Sequence, residues 1–129
     1  MQRLTTRVQF QAVMAGSTVS RTAHFALHRL NLDAGPGSER PAALFAVRTE
    51  PWIGALIPKR WAKRAVTRNA IRRQVYAVSH DATPPLPVAA HVVRLRAGFD
   101  REQFISASSQ ALKRAVRGEL QELFARAQR

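Results

Sequence analysis

The sequence predicts a single mixed α+β domain that spans residues 1–129. Its length of 129 residues fits one domain, and a hydrophobic content of 46% can supply one core. Segments with helical periodicity alternate along the chain with segments of strand character. The predicted element order is α-β-β-β-α-β-α, with no internal repeat.

Helical periodicity predicts three helices, over residues 6–15, 62–79 and 101–127. Thr6 can cap the first helix. Asp100 begins a capping-box pattern before the third helix. The central helix is amphipathic, because its apolar residues recur along one narrow stripe.

Alternating or β-branched segments predict four strands, over residues 22–32, 42–49, 52–57 and 88–96. Phe25 and Leu27 should lie on one face of the first strand, with His24, Ala26 and His28 on the other. The second and third segments, separated by Glu50 and Pro51, are expected to form a hairpin or one bent strand pair.

The charge is large and unevenly placed. The chain carries 21 Lys and Arg against 8 Asp and Glu, a net charge of +13. No acidic residue lies between Pro51 and His80, whereas Lys59–Arg73 holds seven basic residues: Lys59, Arg60, Lys63, Arg64, Arg68, Arg72 and Arg73. So dense a block of one sign predicts a polyanionic partner, with nucleic acid favoured over an anionic membrane surface.

Composition and spacing exclude several classes of site. The absence of cysteine removes disulfides, thiolate zinc sites and a cysteine nucleophile. No paired carboxylates, phosphate loop or metal-ligand spacing occurs, so neither a catalytic residue nor a metal site is predicted in the chain itself. With no secretory signal or long apolar segment, the protein is expected to be soluble and cytoplasmic, without a membrane partner.

The exposed face of the central helix has the chemistry of a phosphate-binding surface. Arg68, Arg72 and Arg73 carry planar guanidinium groups that can bind phosphates through two hydrogen bonds. Asn69 lies between them on the helical wheel and can contact a sugar hydroxyl or a base edge. Lys59 and Arg60 lie where a strand leads into this helix, whose N-terminus also favours phosphate.

Aromatic residues offer a second kind of contact with RNA. Phe10 and Phe25 could stack on unpaired bases, although core packing is the commoner role for a phenylalanine in a regular element. Trp61 lies inside the basic segment and could either stack on RNA or fill the junction between helix and sheet.

Lys59-Arg60, followed by Arg68-Asn69-Ala70-Ile71-Arg72-Arg73, resembles the signature of the bacterial ribonuclease P protein subunit. Ala70 departs from the second arginine of that motif, and Tyr76 stands where the family usually has another arginine. Weaker similarity extends over nearly the whole chain, including Phe10 in the first helix and Gly54 before the basic pair.

The resemblance implies a fold and a function. The fold would be a two-layer α/β sandwich like ribosomal protein S5 domain 2, with a left-handed β-α-β crossover. The seven basic residues and Asn69 would bind ribonuclease P RNA, and Phe10 with Phe25 would form a cleft for the 5′ leader of precursor tRNA. The RNA partner and its Mg²⁺ ions would perform the endonucleolytic cleavage, and no obligate protein partner is implied.

Two other classes of function fit the same charge. A non-enzymatic RNA-binding protein of ribosomal type would share the basic segment without needing a leader cleft. A DNA-binding module would insert the central helix into a major groove, but that helix offers few base-reading side chains apart from Asn69.

Overall fold

The computed structural model describes residues 1–32, 44–99 and 110–128. The elements in chain order are β1 (Gln2–Arg3), α1 (Arg7–Met14), β2 (Ser17–Arg21), β3 (Phe25–Leu30), β4 (Trp52–Leu56), α2 (Ala65–His80), β5 (Ala90–Leu95) and α3 (Gln110–Ala127). The five strands form one sheet in the order β1-β4-β5-β3-β2. The α+β class is therefore confirmed.

The central helix connects two neighbouring strands of this sheet. Strand β4 pairs parallel with β1 on one side and with β5 on the other, while β3 pairs antiparallel with both β5 and β2. Helix α2 is thus the crossover between the parallel strands β4 and β5. This arrangement places the segment between β4 and α2 at one end of the sheet. The left hand of the crossover stays a prediction.

One face of the sheet packs against α2 and α3. Ile71 and Val75 from α2 and Leu120 from α3 are buried against sheet residues that include Phe25 and Val93. The predicted apolar stripe of the central helix is therefore confirmed, and it turns the opposite side of α2 toward solvent.

The other face of the sheet packs against α1, and we call it the α1 face. Val13 is buried there with Trp52 and Val92. A Cβ atom at Gly54 would lie 2.7 Å from Phe10 Cε1, so only glycine lets the Phe10 ring approach this strand so closely. The predicted two layers therefore gain a third, because α1 lies on the opposite side of the sheet from α2 and α3.

The helices agree well with their predicted ranges. Thr6 caps α1 in a capping box with Gln9, and α2 begins three residues later than expected. Helix α3 ends at Ala127 as predicted, whereas the capping-box pattern at Asp100 and the first part of the predicted range lie outside the described residues. Among the described residues, no helix is long and apolar enough to cross a membrane.

The strand predictions need two corrections. Strands β1 and β2 were not expected, because a two-residue strand has no periodicity and β2 is polar along most of its length. The predicted strand over 42–49 is wrong for its described part, 44–49, which forms no strand. That segment is held instead by hydrogen bonds from Gln9 Nε2 to the Leu44 carbonyl and from Trp52 Nε1 to the Val47 carbonyl.

Candidate nucleic-acid interface

The basic segment begins in a tight turn between β4 and α2. The backbone N–H groups of Trp61 and Ala62 both donate to the Pro58 carbonyl, at 3.1 and 3.2 Å. This turn leaves Lys59 and Arg60 exposed, as expected for residues that contact a partner. Ala62, rather than Trp61, fills the junction with the core.

The Trp61 ring lies at the surface with its cationic neighbour. The residue is 39% exposed, and the Arg60 guanidinium lies 5.6 Å from the Trp61 ring centroid. Such a cation–π pair limits the motion of both side chains without satisfying the donors of the guanidinium. The exposed part of the Trp61 ring is therefore available to stack on RNA.

Arg68 holds the turn onto the helix. Its Nη1 atom donates to the carbonyls of Ala62 and Lys63, at 3.0 and 2.8 Å. The side chain is half-buried as a result. Arg68 therefore has a structural role that its position in a basic motif did not indicate, and its remaining donors are still available to a phosphate.

The N-terminus of α2 is cationic and has no side-chain cap. Arg64 occupies the N-cap position in an extended conformation and accepts no capping hydrogen bond through its side chain, and the first turn contains no acidic residue. With exposed Lys63 beside it, the helix end combines backbone donors with positive charge, an arrangement that favours phosphate.

The next turns of α2 present the polar residues that the sequence predicts. Arg72 Nη1 donates to Asn69 Oδ1 at 3.0 Å, which orients both side chains on the same face. Asn69 and Arg73 are exposed, and Arg72 is half-buried. The bond uses the acceptor of Asn69, so its amide N–H donors remain for a partner.

The acidic residues that the structure describes do not neutralise this surface. Three of the four acidic residues in the described ranges form ion pairs with cations outside Lys59–Arg73: Glu50 with the N-terminus, Asp81 with Arg117 and Glu122 with Arg126. The fourth, Glu119, contacts Nδ1 of His24 at 2.7 Å. The structure therefore places Lys59, Arg60, Lys63, Arg64, Arg68, Asn69, Arg72 and Arg73 along one continuous part of the chain, whose positive charge is not paired with any acidic residue of the described ranges.

Phe10 and Phe25 do not lie together. Phe10 is half-buried on the α1 face, where Met14 and Leu56 also pack. Phe25 is completely buried on the opposite face of the sheet, near the Phe99 ring. The prediction that both line one cleft is therefore wrong for Phe25, because alternation along β3 directs its side chain toward α2 and α3.

The α1 face carries polar residues that the sequence prediction did not include. His28 and Arg94 lie on this face, and Arg94 Nε donates to His28 Nε2 at 3.2 Å. His28 must then carry its proton on Nδ1, which lies 3.1 Å from Thr18 Oγ1. Burial, with the nearby Arg94 and Arg21 charges, lowers the pKa of His28. The alternation of β3 already separated His28 from Phe25, but nothing in the sequence indicated that α1 would cover that side.

Two of the other histidines, His24 and His91, have contacts that stabilise the fold. His24 was expected to share a face with His28, but it precedes β3, stacks on the Phe99 ring at 4.0 Å and contacts Glu119 of α3 at 2.7 Å. His91 is completely buried and accepts a hydrogen bond from Arg29 Nε at 3.0 Å. The described residues contain no group of three or more histidine or acidic side chains that could hold a metal ion.

Comparison with known proteins identifies the family of this chain. The family model described as Ribonuclease P matches residues 1–127. The chain belongs to the ribonuclease P protein family. It is 38% identical over 123 residues to the ribonuclease P protein component of Ralstonia pickettii, a match that covers 95% of this chain and 76% of that protein. It is 32% identical to the corresponding protein of Bordetella parapertussis, over 92% of this chain and 85% of that one.

Solved structures of the ribonuclease P family have the same fold. The RNase P protein of Staphylococcus aureus matches with a TM-score of 0.65 at 14% identity, over 97% of this chain and 94% of that chain. A mutant of the same protein matches with a TM-score of 0.66. The family makes this chain a protein subunit of ribonuclease P, the ribonucleoprotein that processes tRNA.

Proposed function

We propose that this subunit binds ribonuclease P RNA through the basic turn and the exposed side of α2, and binds the 5′ leader of precursor tRNA on the α1 face. It acts in the cytoplasm, where it assists removal of the leader. The RNA partner, with Mg²⁺, performs the phosphodiester hydrolysis, and the protein contributes charge and position.

The positive charge of Lys59–Arg73, which no acidic residue in the described part of the chain pairs with, carries this proposal. RNA binding releases counterions from phosphates, so a dense set of unpaired cations supplies much of the affinity. The ordered arginines add geometry to this charge. Arg68 keeps the turn against α2, and Arg72 is oriented by Asn69, so both guanidinium groups are arranged before RNA arrives.

The α1 face supports a role in holding a single strand. Phe10, Met14 and Leu56 offer partly exposed apolar surface, while Arg94 supplies a charge beside it. Aromatic stacking together with a cationic strip is the usual way in which proteins bind unpaired nucleotides. Arg94 and His28 replace Phe25 in this part of the proposal.

The positive charge of Lys59–Arg73 also favours binding of Mg²⁺ by the RNA rather than by the protein. Magnesium prefers carboxylate and phosphate oxygens, whereas the exposed side of α2 presents guanidinium groups that repel a divalent cation. Phosphates held by Arg72 and Arg73 would instead lower the repulsion between catalytic RNA and substrate. We therefore expect the protein to reduce the Mg²⁺ concentration that cleavage requires.

Reconstitution tests this function directly. The protein is combined with a bacterial ribonuclease P RNA, and cleavage of precursor tRNA is measured over a Mg²⁺ series. Stimulation that is largest at low Mg²⁺ is the expected result. If the protein does not change the rate of precursor tRNA cleavage at any Mg²⁺ concentration, the proposed function is refuted.

A Phe10→Ala variant tests the leader-binding part separately. Binding of leader-bearing tRNA should weaken by roughly 1–3 kcal/mol, the worth of one stacked base, while binding of mature tRNA should hardly change. Equal losses for both RNAs would mean that Phe10 only supports the core. Circular dichroism and thermal unfolding of the variant show whether the fold is retained.

A further inference from the structure

A groove lies between the short strand β1 and the exposed side of α2, and we call it the β1–α2 groove. One part of it is lined by Arg3, Asn69, Arg72, Arg73 and Tyr76. A neighbouring depression shares Arg3 and Tyr76 and is completed by Met1, Ile53 and His80. None of the residues that line these two depressions in the described chain is acidic.

Arg3 is held in a defined position at this groove. Its neighbours bond to the adjacent strand, with Gln2 N–H donating to the Pro51 carbonyl at 2.9 Å and Leu4 N–H donating to the Ile53 carbonyl at 3.0 Å. The pairing of Arg3 with Ile53 directs its side chain to the α2 side of the sheet. There the Arg3 guanidinium lies 4.1 Å from the Tyr76 ring centroid.

We propose that Arg3, stacked on Tyr76, binds a phosphodiester of the RNA partner in the β1–α2 groove and so extends the basic surface of α2 onto strand β1. This inference rests on the proposed function. It assigns a role in RNA binding to two residues, Arg3 and Tyr76, that lie outside the basic segment Lys59–Arg73. The ligand is an RNA strand whose backbone follows the exposed side of α2.

The spacing along α2 supports one continuous binding surface. Residues three or four positions apart share a helix face, so Tyr76 lies directly beyond Arg72 and Arg73, which lie beyond Asn69. Arg3 adds a third guanidinium beside Arg72 and Arg73 from outside the helix. It thereby supplies a positive charge near a face where Ala70 provides none.

The stacking on Tyr76 explains why this site can bind phosphate well. A free arginine side chain has many rotamers, and ordering them opposes binding. A guanidinium that already lies on an aromatic ring loses less freedom, and stacking leaves its in-plane N–H donors free for phosphate oxygens. Tyr76 therefore acts as a positioning residue for Arg3.

An Arg3→Ala variant gives the first test. Its affinity for a bacterial ribonuclease P RNA should fall roughly tenfold, as for one lost charge-assisted hydrogen bond, and the slope of log K against log salt should flatten by about 0.7–0.9. Arg114→Ala is the matched control, because it removes an exposed arginine from α3. A slope for Arg3→Ala no flatter than that of Arg114→Ala would overturn the proposal.

Variants of Tyr76 test the positioning role. Tyr76→Phe keeps the ring and should bind RNA like the original protein, whereas Tyr76→Ala should reproduce most of the loss caused by Arg3→Ala. In the double variant of Arg3 and Tyr76 to alanine, the losses should not add, because both act on one contact. Additive losses would contradict the coupling of the two residues.

A spectroscopic measurement separates binding from stability. Tyr76 is the only tyrosine of the chain, so its ring resonances are unambiguous in NMR spectra. They should shift when a short single-stranded RNA is titrated, and shift less in Arg3→Ala. If the resonances do not move although the RNA binds and the protein stimulates cleavage, this site is rejected and the proposed function stands. If the unaltered protein does not stimulate cleavage, the proposed function itself is rejected.

Discussion

Individual residues in this protein often have structural roles that their residue type does not indicate. Arg68 belongs to a basic motif, yet it donates two hydrogen bonds to the backbone of the preceding turn. Gly54 belongs to a strand, yet its missing side chain makes room for Phe10. In both cases the role depends on a contact with another residue, and sequence periodicity does not predict which residues come into contact.

His91 makes stability depend on pH. Burial lowers its pKa to about 4, from about 6.5 in an unfolded chain. The unfolded state therefore binds a proton more readily, and stability should be lost as the pH falls from about 6.5 to about 4, by roughly 3 kcal/mol in total. A His91→Gln variant should flatten this pH dependence in urea unfolding, whereas the exposed histidine variant His80→Gln should not. An unchanged dependence in His91→Gln would contradict the assignment.

Two glycines predict opposite effects of the same substitution. Gly54→Ala should destabilise the protein by about 1–3 kcal/mol, because the new Cβ collides with the Phe10 ring and forces it to move. Gly118→Ala should stabilise α3 by up to about 1 kcal/mol, since nothing lies within 4 Å of its Cβ position and alanine favours a helix. Thermal unfolding of both variants checks the pair, and a Gly54→Ala protein as stable as the original would show that Phe10 moves freely.

At the scale of elements, α2 joins the core to the basic surface. Its apolar stripe, with Ile71 and Val75, packs on the sheet, and the same helix displays Asn69 and Arg73 to solvent. The turn before it is tied to the helix by Arg68. The position of the cations therefore depends on the packing of α2. A substitution in this helix can change both folding stability and RNA affinity, and only selected residues allow the two effects to be measured apart.

Arg68 and Arg73 allow this separation. Arg68→Ala should lower stability by about 1–2 kcal/mol, because two backbone carbonyls lose their charged donor, and should also weaken RNA binding. Arg73→Ala should change stability by less than about 0.5 kcal/mol, as an exposed residue, while flattening the salt slope of RNA binding by about 0.7–0.9. Unfolding and binding are measured on both variants. Equal destabilisation by the two would contradict the role of Arg68 in the turn.

At the scale of the whole molecule, charge is the dominant property. The net charge is +13, and the acidic residues of the described ranges already contact partners outside Lys59–Arg73. Repulsion among the unpaired cations opposes the compact state at low salt. A polyanion that binds the folded protein removes this repulsion.

The charge therefore predicts stabilisation by RNA. At low salt, RNA present at about a hundredfold excess over Kd should stabilise the folded state by about 2.7 kcal/mol. This corresponds to a rise in Tm of roughly 10 °C for a domain of this size. Differential scanning calorimetry with RNA, and with an uncharged polymer of similar length as control, measures the effect. A Tm that rises equally with the uncharged polymer would show that charge is not the cause.

The sequence by itself determined the α+β class, the three helices, the apolar stripe of α2 and the position of the basic segment. These features depend on hydrophobic periodicity, on capping residues and on the clustering of charged residues, and each of these involves positions that are close together in the sequence. Only the tertiary structure decided that Phe10 and Phe25 lie on opposite faces, that Arg94 contacts His28, and that Arg3 stacks on Tyr76. Each of these depends on residues far apart in sequence, whose meeting is set by strand order, by register and by the face on which each helix packs.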